Sequence, residues 1–217
     1  MLIKKWPNYD KYININGNKK ELMNKRNYGI DLLRVFSMIN IINLHINLYS
    51  RQIYLNFDNP KFRNIWSLEI FSYPAVNCFG LISGFVGYKK YKFSNIIYLW
   101  IIAFFYSILI STFLFFTGKI NKNNLFISFL PILIKRSWYI NAYFSMYLLL
   151  PFINCGIISV KRSFHRNLVI FFILFYSAYS IIAKIKRYNL NLFLYNGYSA
   201  MWLIILYIIG AYFGKYK

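Results

Sequence analysis

IIYLWIIAFFYSILISTFLFF, residues 96–116, is twenty-one consecutive residues without a formal charge. Its length matches the ~20 residues a helix needs to cross a hydrocarbon core. It lacks the period-2 alternation of a barrel strand, and in lipid only helices and closed barrels satisfy their own backbone groups. The run therefore reads as a transmembrane helix, and the chain around it as a membrane protein.

Outward from this run the pattern repeats. Apolar stretches from Ile30 to Leu48, Ile65 to Gly87, Trp138 to Ile158, Leu168 to Ala183 and Ser199 to Gly214 bring the expected spans to six. The last two are near the lower limit for crossing. A shorter apolar run, Leu125 to Ile134, contains Pro131 and predicts an interfacial or re-entrant helix. Composition agrees: 59% of the 217 residues are hydrophobic, 22% aromatic and 14% charged. A soluble domain carries nearer twice that charge fraction. The fold class is all-α, a polytopic transmembrane helix bundle of about six spans, comprising a basic N-terminal segment (1–28) and a membrane domain (29–217).

The formal charge is +21, from 26 Lys and Arg against five acids, Asp10, Glu21, Asp31, Asp58 and Glu69. On a soluble chain this imbalance would suggest nucleic acid. Here the cations sit between apolar runs, where they meet anionic headgroups, so the bilayer is the expected partner and nucleic acid is not. The excess of Lys, Asn, Ile, Tyr and Phe also fits AT-rich coding. With the N-terminus inside, inner segments hold fifteen Lys and Arg against ten outside, a bias that predicts a cytoplasmic N-terminus. Residues 1–28 have no apolar h-region and are not a cleavable signal peptide. Cys78 and Cys155 lie in apolar runs and read as small buried hydrophobes rather than a disulfide or a metal pair. No metal and no bound cofactor are expected.

Ionisable side chains inside spans are the first candidates for chemistry, because the bilayer makes them costly. Arg34 and His45 are eleven residues apart on the first span, so on a helix they point the same way, about 16 Å apart along the axis. The second span returns from the outer side. It therefore puts Glu69 near the depth of His45, and Ser83-Gly84 near that of Arg34. A carboxylate beside an imidazole suggests a general base. A serine and a glycine beside an arginine suggest phosphate approach, with Lys89, Lys90 and Lys92 following at once. The plain readings are a snorkelling interface Arg34 paired with Asp31, a structural His45, a Glu69 that neutralises loop cations and a Ser83-Gly84 pair that only packs helices. Trp138 and Tyr139, at the outer edge of the fourth span, are by default interfacial aromatics.

Three segments carry a family resemblance. Residues 27–38, NYGIDLLRVFSM, with the Arg34-x10-His45 spacing, resemble the opening of membrane acyltransferase family 3. VNCFGLISGF, residues 76–85, is similar to the end of that family's second helix. WYINAYFSMYLLLPFIN, residues 138–154, resembles a later segment, and Leu99-Trp100 to Tyr106-Ser107 is similar to its capsule-modifying branch.

The resemblance implies an integral-membrane O-acyltransferase of the bacterial plasma membrane. An acyl group, usually acetyl, would pass from cytoplasmic acyl-CoA, such as acetyl-CoA, to a sugar hydroxyl of a cell-surface (capsular) polysaccharide or lipid-linked glycan. By the resemblance His45 would be the general base and Arg34 the family's arginine. Depth in the membrane, not the resemblance, adds Glu69 as the group that orients His45, and Ser83, Gly84, Lys89, Lys90 and Lys92 beside Arg34 as the acyl-CoA side. Trp138 and Tyr139 are candidates for the acceptor side. Where many relatives carry an arginine pair before the third helix, this chain has Phe93-Ser94-Asn95. The family has roughly ten spans, so with six this chain is expected to be C-terminally incomplete. The competing reading is a non-enzymatic polytopic protein, either a transport or flippase component or an inactive remnant. Polar groups spread over several helices at the midplane would favour transport.

Overall fold

The computed structural model describes residues 27–50, 60–89, 91–130, 138–186, 197 and 199–217. Most of the basic segment 1–28, the stretch 131–137 and Lys90 lie outside the described residues. The described residues form eight helices and no strand: α1 (Tyr28–Tyr49), α2 (Phe62–Ser72), α3 (Ala75–Gly87), α4 (Ser94–Phe116), α5 (Lys122–Ile127), α6 (Trp138–Ser159), α7 (Arg162–Lys186) and α8 (Ala200–Lys215). Taking α2 and α3 as one run, five helices are long and apolar enough to cross a membrane, and α8 is a shorter apolar helix. The chain is an all-α polytopic bundle.

Local chemistry sets the ends. Asn27 caps α1, its side-chain oxygen accepting from the backbone N–H of Gly29 (3.1 Å) and Ile30 (3.3 Å). Asp31 adds a negative charge at the positive end of the helix dipole. The expected second span, Ile65 to Gly87, is two helices rather than one. They break at Tyr73-Pro74, because proline lacks an N–H and its ring crowds the carbonyl four residues back. Pro151, by contrast, is contained within α6.

The fifth span is not short. α7 begins at Arg162, six residues before the apolar run, and covers 25 residues. Hydropathy sees only the apolar part, whereas a helix end can extend through cations that reach for the headgroups. Of the apolar run Leu125 to Ile134, the described part holds only the last three residues of the six-residue α5 and the turn after it, residues 131–134 lying outside the described residues. α5 is tied to α4 by Ser128 Oγ on Ser111 Oγ (2.6 Å) and by Ser107 Oγ on the Ser128 carbonyl (3.0 Å). Of the cysteines, Cys78 is half-buried and Cys155 is exposed, so Cys155 is not the buried hydrophobe expected.

The core lies where α3, α6 and α8 meet. Met146, Leu203, Tyr207 and Ala211 are fully excluded from solvent. Contacts between α3 and α8 advance together along both helices: Gly80 against Leu203 and Leu206, Gly84 against Tyr207, Leu81 against Gly210, and Phe85 against Gly214. The two helices are therefore parallel. Gly80-x3-Gly84 and Gly210-x3-Gly214 remove the side chains that would keep the backbones apart, the packing device of membrane helices. Tyr207 Oη donates to Asn154 Oδ1 (2.8 Å), and Lys215 Nζ donates to the carbonyls of Ile157, Ile158 and Val160 at the end of α6 (2.6, 3.1 and 2.9 Å). Away from this core, α1 and α4 expose large apolar side chains such as Ile39, Ile42, Phe105 and Phe113, as lipid-facing surfaces do.

Candidate functional site

The site builds from α1. The helix is unbroken from Tyr28 to Tyr49, so Arg34 and His45 share a direction, with about 16 Å between them along the axis. Arg34 donates to Asp31 at 2.8 Å, one turn earlier, and keeps 43% of its side chain exposed. Its charge also lies within electrostatic reach of Tyr143 on α6. Tyr143 Oη stands 3.5 Å from Ser83 Oγ. Ser83 and Tyr143 thus join α3 and α6, with Arg34 of α1 near the same tyrosine but bonded to Asp31.

His45 is exposed, its ring stacked near Tyr49 with centroids 6.2 Å apart. Its Nδ1 is 2.8 Å from the Ile41 carbonyl. A carbonyl can only accept, so Nδ1 carries the proton, and in the neutral ring the lone pair is then on Nε2. The imidazole is thereby fixed in the tautomer that presents a basic nitrogen away from its own helix.

The expected Glu69–His45 pairing is not how the structure arranges these residues. Glu69 is buried and accepts from Asn47 Nδ2 at 2.9 Å, while the Ile41 carbonyl orients His45. Asn47 lies two positions beyond His45, which turns it to a different face of α1. Below it, Asn43 Nδ2 donates to Ser72 Oγ (2.9 Å), and Ser72 Oγ lies 3.0 Å from Asn40 Oδ1. Asn40, Asn43 and Asn47 on α1 with Glu69 and Ser72 on α2 form a polar seam beside the histidine.

Gly84 is likewise not open to a ligand. A Cβ there would meet the Tyr207 carbonyl oxygen, so the missing side chain makes room for α8 rather than for phosphate. Lys89 is exposed, with its Nζ 5.3 Å from the Tyr88 ring centroid. Lys90 lies outside the described residues. Lys92 is exposed, and its carbonyl accepts from Tyr147 Oη at 3.2 Å. Trp138 and Tyr139 are half-buried at the start of α6 and pack on the core. Tyr139 opens a ladder through Tyr143 and Tyr147 to Tyr91, with successive centroids 5.9, 6.2 and 5.4 Å apart.

Several of these residues escaped the sequence reading. The seam asparagines were indistinguishable from an asparagine-rich composition, although 40 and 47 lie one heptad apart. Tyr143 was readable only as an interval of four from Tyr139. His165, fully buried, donates from Nε2 to the Ile208 carbonyl (3.0 Å) between the rings of Tyr212 and Tyr216. It was missed because the fifth span was started too late. Among the described residues, no three His, Cys, Asp or Glu side chains gather as a metal site would require.

A family model described as an acyltransferase domain matches residues 27–217. No curated protein and no solved structure matches the chain significantly.

Proposed function

The chain belongs to the acyltransferase-domain family, and from that premise we propose that it is an integral-membrane O-acyltransferase of the bacterial plasma membrane, moving an acetyl group from cytoplasmic acetyl-CoA to a sugar hydroxyl of a surface polysaccharide or lipid-linked glycan. The observation that carries the reading is His45, whose Nδ1–H is engaged by the Ile41 carbonyl and whose Nε2 is left as a base on an exposed face. Nε2 takes the proton of the sugar hydroxyl as the oxygen attacks the thioester carbonyl carbon. The carbon–sulfur bond then breaks, and the departing thiolate of CoA takes the proton back from the imidazolium.

Arg34 supports the same reading. On the His45 face, about 16 Å away, it supplies a cation for CoA phosphates, with Lys89, Lys90 and Lys92 as further cations on that side. The N-terminus of α1 and this basic loop are then cytoplasmic, in line with the fifteen-to-ten distribution of Lys and Arg. Ser83 joins the site through Tyr143, and the half-buried rings of Trp138 and Tyr139 offer stacking faces to an acceptor sugar. Glu69 acts through Asn47, holding α1 rather than touching the imidazole.

The test compares O-acetyl content of the host's surface polysaccharide, by NMR, in cells carrying the intact chain, His45→Ala or no chain. O-acetyl groups added by the intact chain alone support the proposal. Three identical spectra refute it for this chain.

A further inference from the structure

Tyr139, Tyr143 and Tyr147 stand at helical intervals of four on α6, and Tyr91 continues their file. Successive ring centroids are 5.9, 6.2 and 5.4 Å apart, so each ring is held by its neighbours. Their hydroxyls are engaged unequally. Tyr147 Oη accepts from Asn95 Nδ2 (3.0 Å) and donates to the Lys92 carbonyl (3.2 Å), which pins the start of α4 to α6. Tyr143 Oη has a single partner among the described residues, Ser83 Oγ, at 3.5 Å, the outer limit of a hydrogen bond.

Ser83 departs from the other helix serines in the same way. Ser72, Ser145, Ser159 and Ser180 each donate to the carbonyl four residues back, at 2.8, 2.9, 3.0 and 2.7 Å, the local bond that satisfies a serine inside a helix. Ser83 turns its hydroxyl to Tyr143 instead. Two O–H groups therefore share one contact, and one of the two protons is left without an acceptor. Arg34 stands near the same pair: Asp31 takes its Nη1 at 2.8 Å, and its remaining N–H groups have no partner among the described residues. Its charge acts on Tyr143. Spare donors on a guanidinium and on a neighbouring hydroxyl are the set that phosphate recognition uses.

Resting on the acyl-CoA reading above, we propose that Tyr143 is a contact residue for acyl-CoA: its O–H donates to a phosphate oxygen that Arg34 pairs with, and Ser83 donates in turn to Tyr143 Oη. The packed ring fixes the hydroxyl before the ligand arrives, so little side-chain freedom is lost on binding.

The test titrates the purified full chain in detergent with CoA, and uses pantetheine, which has the thiol arm and no phosphate, as a competitor. It compares wild type, Tyr143→Phe, Ser83→Ala and Tyr98→Phe, a tyrosine exposed on α4. Tyr143→Phe keeps the ring and should bind CoA about tenfold more weakly. Ser83→Ala should lose less, and Tyr98→Phe should match wild type. Pantetheine should compete equally in wild type and Tyr143→Phe, which a packing defect would not allow. Equal CoA affinity in wild type and Tyr143→Phe overturns the contact. So does an equal loss for pantetheine, which moves the hydroxyl to the arm. Phosphatidylglycerol that displaces CoA from wild type but not from Tyr143→Phe gives the hydroxyl to a lipid phosphate and also overturns it. Absence of CoA binding by wild type refutes the acyl-CoA reading itself, and the inference with it. If Tyr143→Phe does not fold, Ser83→Ala decides, and no loss of CoA affinity there overturns the contact.

Discussion

Asn47 and Glu69 face each other across the α1–α2 seam, the amide Nδ2 donating to carboxylate Oε2 at 2.9 Å with both side chains buried. A buried acid is costly to desolvate, and each hydrogen bond it accepts offsets part of that cost. Asn47→Leu, which strands the carboxylate, should destabilise the purified protein by about 1–3 kcal/mol in denaturant unfolding. Glu69→Gln can still accept at Oε1 and should lose less. If the Leu variant unfolds like wild type, the seam does not hold α1.

Gly84 and Gly156 make opposite predictions. A Cβ on Gly84 would collide with the Tyr207 carbonyl oxygen, whereas one on Gly156 meets nothing within 4 Å. Gly84→Ala must push α3 from α8 and should cost about 1–3 kcal/mol or more. Gly156→Ala, within α6, should be neutral or stabilising by up to about 1 kcal/mol. Thermal melts of the two variants in the same detergent read the difference directly.

Lys215 holds the last carbonyls of α6 from the end of α8. Lys215→Met removes the donors and the favourable charge at a helix C-terminus, an expected loss of about 1–2 kcal/mol. Lys215→Arg should retain part of it. Hydrogen exchange at the α6 C-terminus should rise in the Met variant and stay low at its N-terminus.

His45 is exposed and bonded to its own helix, so replacing it should separate chemistry from folding. His45→Ala should lower acyl transfer about 100-fold or more while shifting the unfolding free energy by no more than about 0.5 kcal/mol. Acyl transfer from acetyl-CoA by purified protein, measured beside its melting curve, gives both numbers. Loss of the melt together with the activity would make His45 structural.

How much of this could be read from the sequence depends on the physics behind each feature. The spans were legible because a hydrocarbon slab fixes length and polarity, and residues 96–116 meet both. The alignment of Arg34 and His45 follows from helix geometry alone and survives in α1. Hydropathy, which averages over a window, hid the break at Pro74 and the six-residue extension of α7 through Arg162. The Glu69 partner was misjudged because depth in the membrane was used without rotation about the α1 axis, which favours Asn47 over His45. Gly84 was ambiguous until α8 was in place, since a small residue that admits a ligand and one that admits a helix look identical in one dimension.

The parallel α3–α8 contact also has a consequence in time. Gly84 meets Tyr207, 123 residues further along the chain, so the ribosome, at ~5–20 residues per second, takes roughly 6–25 s to supply the partner after α3 is made. Throughout that interval the glycine face of α3 has only lipid or the insertion machinery to rest against. A chain stalled before Ala200 would therefore carry α1 and its histidine with the glycine face of α3 still uncovered by α8.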